Sequence, residues 1–186
     1  LAGLIAANPQ IGQDDFARAE RQIIAGKTTI QSLSLAPAMV IRQVYPLQGN
    51  ERALDLDLGK HPTQSGAANL ARRSRQIVVA GPLPLVQGGT AVVSRIPVFL
   101  DVRTPRERFW GLVSAAIDTN RLYQTAGILD PQLPYEIALR GKDSGGANGA
   151  VFFGRPELFA ADPVIVDIKL PQGSWQVAAI PRCGWP

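Results

Sequence analysis

Phe16, Ile23 and Ile30 stand seven residues apart, and Ala19, Gly26 and Leu33 follow each by three. That a/d pattern predicts one long helix running from Asp14 towards Leu35, with a seam suited to a core or to a second copy of the chain. Asp14 and Asp15 supply its N-cap and a favourable first turn, and Pro37 ends it. Gly26 costs about 1 kcal/mol relative to alanine inside a helix, so close packing is expected there.

From Met39 the period falls to two. Met39–Ile41 and Val44–Leu47 are expected strands, followed by a turn at Gln48-Gly49-Asn50. Leu54, Leu56 and Leu58 alternate with Asp55, Asp57 and Gly59, which predicts a half-buried strand. A helix over Pro62–Arg75 and a short buried strand over Ile77–Ala80 come next. Gly88-Gly89 turns the chain into a long strand, Ala91–Leu100, which Phe109–Ile117 answers. Asp118 can then cap a short helix reaching Gln124. Beyond Gly127 the pattern starts again with Tyr135–Leu139, the glycine-rich loop Gly141–Gly149, Val151–Phe153, Val164–Leu170 and Ser174–Ile180. Pro171-Gln172-Gly173 makes the tight turn between the last two. The fold class is α+β: a long N-terminal helix, a sheet with helical inserts, then a smaller sheet.

Two punctuation marks stand out in the central pair of strands. Pro97 cannot donate to a ladder, so it belongs at an edge, bulge or bend. Gly111, in an apolar run, signals close approach of another backbone or a ligand. Arg95 shares a face with Val93, Pro97 and Phe99, so its base is expected to be buried and its head exposed. A buried arginine needs a partner, either an acid of this protein or an anionic group of a ligand. Asp57 is open to two readings, a solvated strand face shared with Asp55 or a hydrogen-bond acceptor lining a cleft.

Composition narrows the options without naming one. The 186 residues suffice for one domain or for two small lobes, and 46% hydrophobic with 18% charged residues describes a globular chain. Fifteen prolines and eighteen glycines favour many short strands and turns. The net charge of +4 invites a nucleic-acid partner, but the only dense basic cluster, Arg72, Arg73 and Arg75, sits where a helix end welcomes it. No nucleic-acid partner is expected. The lone Cys183 excludes an internal disulfide and a cysteine-ligated zinc site. No run approaches the ~20 apolar residues of a membrane span. The chain opens at Leu1-Ala2-Gly3 without an initiator methionine or signal peptide, as expected of a piece excised from something longer.

Asp143-Ser144-Gly145-Gly146 is similar to the nucleophile loop of trypsin-like proteases, and His61 and Asp101 precede it in the order such enzymes use. The surroundings argue against a serine hydrolase: Lys142 replaces a glycine, and His61 lies in Gly59-Lys60-His61-Pro62. A glycine-rich hairpin loop explains Ser144 equally well. His61 has no companion at ligand spacing, and neither Gly141–Gly149 nor Gln87-Gly88-Gly89 matches a phosphate or dinucleotide loop. No catalytic residue, metal or cofactor is expected.

Several segments together resemble the CHASE domain. They are Ala36-Pro37, Val44-Tyr45-Pro46-Leu47-Gln48-Gly49-Asn50, Gly81-Pro82-Leu83, Gln87-Gly88-Gly89, Arg95-Ile96-Pro97-Val98-Phe99, Phe109-Trp110-Gly111, Gly173-Ser174-Trp175 and Gly184-Trp185. The resemblance spans about Pro9 to Trp185. It implies a periplasmic sensor held between two membrane helices of a receptor, with a cytoplasmic output domain such as a histidine kinase or diguanylate cyclase, and no enzyme activity of its own. It also implies two PAS-like lobes with antiparallel sheets after the helix. The expected divisions are a helical stalk over 1–36, a membrane-distal ligand-binding lobe over 37–127 and a membrane-proximal lobe over 128–186. The expected partners are a small-molecule ligand and a second copy in a homodimer.

Plant cytokinin receptors of this family use a strand aspartate to hydrogen-bond adenine. Alignment through Gly81-Pro82 and Ile96-Pro97-Val98-Phe99 places that aspartate on Asp57, and pocket positions on Leu85, Arg95, Leu112 and Ala116. Those receptors carry a small polar residue where this chain has Arg95, which implies a smaller pocket or an anionic ligand. The alternative is a protein-interaction module of the same receptor with no small-molecule ligand.

Overall fold

The structure, a computed structural model, describes residues 2–185. Helices α1 (Ala2–Ala7) and α2 (Gln13–Ile23) lead into β1 (Ile30–Pro37) and the short β2 (Gln43–Tyr45). Helix α3 (Ser65–Ser74) precedes β3 (Val78–Pro84), β4 (Thr90–Leu100) and β5 (Arg108–Asp118). These five strands form one antiparallel sheet in the order β2-β1-β5-β4-β3.

The expected long helix stops at Ile23, and Ile30–Pro37 is a strand. Gly26 takes a left-handed φ of +75°, and a turn closed by Lys27 donating to the Ile24 carbonyl redirects the chain. A second turn over Thr28 and Thr29, closed by Ile30 donating to the Lys27 carbonyl, then delivers the chain into the strand at the β-branched Ile30. Ser32-Leu33-Ser34-Leu35 alternates with period two, and the pleat sends its serines and leucines to opposite faces. The seven-residue seam therefore does not share one helix: Phe16 is buried, Ile23 is exposed, and Ile30 belongs to the sheet. A helical stalk over 1–36 is corrected accordingly, because β1 lies between β2 and β5 inside the first sheet.

The strand expected over Leu54–Leu58 is also absent. The chain makes a 3-10 turn at Glu51–Ala53, Asp55 takes a φ of +62°, and one isolated bridge joins Val40 to Asp57. A left-handed residue interrupts any extended run, and here Arg42 holds the Asp55 carboxylate at the surface. Leu58 is buried, and Leu56 packs against the same cluster, with Met39 and Ile41.

Pro97 and Gly111 occupy the places their chemistry demands. Strand β3 begins at Val78 opposite Arg95, so at Pro97 strand β4 has β5 alone as a neighbour. Gly111 lies opposite Pro37 of β1, where a Cβ would stand 2.2 Å from the Ala36 carbonyl oxygen. Only a residue without a side chain allows β1 that close.

The sheet has two covered faces. On the back, Leu33, Leu35, Val98, Leu100 and Val113 pack with Ile5, Ile11 and Phe16 of the N-terminal segment. The Trp110 indole donates to the Pro9 carbonyl at 3.0 Å and fastens the α1–α2 connection. In this core lies Glu20, fully buried, with both carboxylate oxygens unpartnered among the described residues. Burial raises its pKa to about 7. On the front, α3 and the 39–58 connection cover Ala36, Val78 and Leu112.

Helix α4 (Thr119–Thr125), capped by Asp118 accepting from the Arg121 amide, leads to the second sheet. Its strands β6 (Tyr135–Arg140), β7 (Val151–Phe153), β8 (Val164–Lys169) and β9 (Ser174–Pro181) are antiparallel in the order β7-β6-β9-β8. The fold is thus α+β with two antiparallel sheets. The glycine-rich loop joins them: Gly81 N donates to Asp143 at 2.7 Å, and Ser144 Oγ donates to the Val79 carbonyl at 2.6 Å. Among the described residues no helix is long and apolar enough to cross a membrane.

Candidate functional site

Register brings three polar side chains into one row on the front face. Arg95 of β4 lies opposite Ser114 of β5, and Ser114 lies opposite Ser34 of β1. One step along, Val93, Ala116 and Ser32 form the neighbouring row. Side chains two apart on a strand share a face, so the two rows make a continuous floor. The roof comes from Ile41, Ala53, Leu56 and Leu58 of the connection, from Gln64 before α3, and from Leu85 and Gln87 of the β3–β4 hairpin. The hairpin is held down where Gln87 donates to Asn50 at 3.2 Å, and Asn50 in turn donates to the Pro46 carbonyl at 3.0 Å. Together they line a half-open chamber of about 30 Å³.

Arg95 dominates its electrostatics. The residue is 1% exposed, yet no carboxylate among the described residues reaches it. Its Nη2 donates to Gln64 Oε1 at 2.5 Å, its Nη1 donates to Ser114 Oγ at 3.3 Å, and Nε has no partner among the described residues. Burial lowers its pKa to about 10, which still leaves the guanidinium charged at neutral pH. A buried cation with neutral partners is costly, because the lost hydration is not matched by an opposite charge.

Of the five residues nominated from sequence, Leu85, Arg95 and Ala116 line the chamber. Leu112 lies on the same strand face but is packed in the core beneath α3, with Leu58 and Ala71. Asp57 is partly exposed; its Oδ1 accepts from the Gly59 amide at 2.9 Å and its Oδ2 lies 3.5 Å from Lys60. The structure therefore does not bring Asp57 and Leu112 to the chamber wall. It adds Ser32, Ser34, Gln64, Gln87 and Ser114, which the sequence reading passed over. Alternation of serine with leucine in Ser32-Leu33-Ser34-Leu35 was the available signal for two of them.

The residues of the hydrolase alternative are scattered. Ser144 Oγ is engaged with the Val79 carbonyl, the His61 ring meets Thr63, and Asp101 lies near Arg108. Among the described residues no group of three or more metal-ligating side chains gathers. Hollows of about 350 Å³ beside α1 and α2 and about 270 Å³ beside α3 are larger than the chamber, but they contain no buried charge.

The family model described as the CHASE domain matches residues 3–153. No curated protein matches the sequence. Among solved structures, an extracellular ligand binding receptor from Desulfohalobium retbaense superposes with a TM-score of 0.71 at 14% identity. That match covers 96% of this chain and 35% of the receptor, so the chain spans about a third of its length. The ligand-binding domain of the Pseudomonas aeruginosa amino acid chemoreceptor PctC, in complex with GABA, gives 0.55 at 14% identity, covering 91% of this chain and 82% of that one. The ligand-binding domain of Mlp24 with asparagine gives 0.57 at 17% identity, covering 96% and 78%. At these identities the likeness is one of fold.

Proposed function

The chain belongs to the CHASE domain family, and from that premise we propose that it is the extracytoplasmic ligand-binding sensor domain of a membrane-bound signalling receptor. The chamber on the front of the first sheet is its ligand site. One observation carries this reading: a fully buried, charged Arg95 that the protein leaves without an acid, in a chamber with three serine hydroxyls and two amides. Binding sites combine apolar walls with a few convergent polar groups, and this chamber has that make-up. The fold shared with ligand-binding domains of chemoreceptors supports it.

Binding transmits a signal only if the ligand prefers one of two arrangements. The loops that roof the chamber supply the moving part, since the β3–β4 hairpin carries Leu85 and Gln87 and continues into the edge strand that docks on Asp143 and Ser144. A ligand that displaces the hairpin therefore pulls on the joint between the lobes. In this reading the lobe built on the first sheet is membrane-distal and the second is membrane-proximal. Leu112 and Asp57 support the wall indirectly: Leu112 packs on Leu58, and Asp57 ties the turn that carries Leu56 and Leu58. Flanking membrane helices, a cytoplasmic output domain and a homodimer belong to the same proposal.

A thermal-shift screen of neutral, cationic, zwitterionic and anionic small molecules tests it. A saturable stabiliser whose effect vanishes in variants of the chamber supports the sensor reading. A screen in which every class leaves the melting temperature unchanged counts against it.

The interaction-module alternative rests on a different surface. Strand β8 is an edge strand exposed along its whole length, and Val164, Val166 and Ile168 share one of its faces. Long apolar edges favour association. A mass that rises with concentration and falls back in Val166→Lys would favour this reading.

A further inference from the structure

We propose that the chamber selects a short monocarboxylate that carries no ammonium group, and that Arg95 is its anchor. This rests on the sensor reading above and names the chemical class of the ligand. The charge inventory decides the matter. Among the described residues Arg95 is the only charged one lining the chamber; every other polar side chain there is a serine hydroxyl or a glutamine amide. One buried positive charge calls for one negative charge. A carboxylate supplies it in the planar geometry that a guanidinium fork matches, and the Nε–H, buried and without a partner among the described residues, becomes the second donor once the roof shifts. Ser114 and Ser34 lie beside the fork in the same row and can donate to the same oxygens.

The same inventory excludes zwitterions. An ammonium group buried here would face no Asp or Glu, and Arg95 would repel it through a medium of low dielectric constant. GABA and asparagine, present in two of the structures similar in fold, both carry such a group. A chamber without an acid rejects that half of the molecule. Beyond Arg95 the floor continues as Val93 and Ala116, with Ser32 at its side, and the roof as Leu85, so the tail of the ligand meets mainly apolar walls. The half-open space of about 30 Å³ holds little more than about two waters, so the tail is short and the roof must shift to admit it.

Gln64 offers a test that keeps the protein folded. Its Oε1 already accepts from Arg95 Nη2 at 2.5 Å, so Gln64→Glu installs an internal carboxylate where a neutral acceptor stood. Calorimetric titration of the wild type uses acetate, propionate, butyrate and pyruvate, with alanine, GABA, propionamide and inorganic phosphate as comparators. The expected result is saturable binding of one or more monocarboxylates and none of the comparators. Affinity then falls at least tenfold in Gln64→Glu and in Arg95→Met, both folded by circular dichroism. Binding of a zwitterion, an amide or phosphate in preference to every monocarboxylate overturns the ligand class and leaves the sensor reading standing. Monocarboxylate binding that Gln64→Glu and Arg95→Met leave unchanged overturns the role of Arg95. If no member of any class binds, here or in the broad thermal-shift screen, both readings fail together.

Discussion

Arg95 and Gln64 meet inside the first lobe as a buried cation and a neutral amide, Nη2 donating to Oε1 at 2.5 Å across 31 positions of sequence. Ser114 adds a second neutral acceptor from the neighbouring strand. The fold thus holds a charge in its interior without satisfying it electrostatically, a cost that a ligand-binding protein can recover when an anion arrives.

That cost is measurable. Arg95→Met replaces the guanidinium with an apolar chain, which removes the cost of holding an unpaired charge out of water. In a domain of this size each kcal/mol raises the melting temperature by roughly 2–4 °C. Calorimetry in a buffer free of carboxylates is expected to show the variant at least as stable as the parent. A variant that unfolds several degrees earlier would mean that Gln64 and Ser114 already satisfy the arginine.

Gly111→Ala is expected to be severe. Its methyl would stand 2.2 Å from the Ala36 carbonyl and 2.7 Å from the Pro37 Cα, so β1 must move away from β5. Overpacking costs about 1–3 kcal/mol and occasionally more, and a backbone clash this close falls at the upper end. Urea denaturation should show the loss, and an unchanged midpoint would contradict the close approach of β1.

Glu20 predicts a pH dependence. Its pKa is raised to about 7 in the fold, against 4.5 for the free side chain. The folded state therefore binds the proton more tightly than the unfolded one. The stability this contributes is complete below pH 4.5, declines as pH rises towards 7, and is gone above that. Glu20→Gln keeps the shape and removes the titration, so the gap in stability between variant and parent should widen from pH 5 to pH 7.5. Parallel stability curves would show that Glu20 is not titrating from a buried site.

The joint between the sheets gives a further expectation. Removing the acceptor in Asp143→Ala leaves the buried Gly81 amide without a partner, which costs about 1–3 kcal/mol. Hydrogen exchange of the β3 amides should accelerate while β6 and β9 remain protected. Equal acceleration everywhere would mean that the two sheets unfold as one unit and that this contact is not a local hinge.

Much of this architecture is visible in the sequence, and the failures have physical causes. The long hairpin of β4 and β5 announces itself through Pro97 and Gly111, because proline and glycine impose constraints that need no knowledge of the fold. The β1 strand does not, since Phe16, Ile23 and Ile30 happen to stand at a heptad spacing that masks the two-residue alternation of Ser32–Leu35. Leu54, Leu56 and Leu58 mislead in the opposite sense: they alternate, but a left-handed Asp55 prevents a strand. The charge of the chamber is legible in Arg95, whereas its hydroxyls are not. Ser34 and Ser114 are 80 positions apart, and only the pairing of β1 with β5 sets them side by side.

The most direct measurement is the Nε–H resonance of Arg95 in a titration with a short monocarboxylate, assigned by its loss in Arg95→Met. The account predicts a large, saturable downfield shift of that one resonance, as its unpartnered donor acquires a carboxylate oxygen, and no such shift on addition of alanine or propionamide. A resonance that stays in place while the protein binds the carboxylate elsewhere would contradict it.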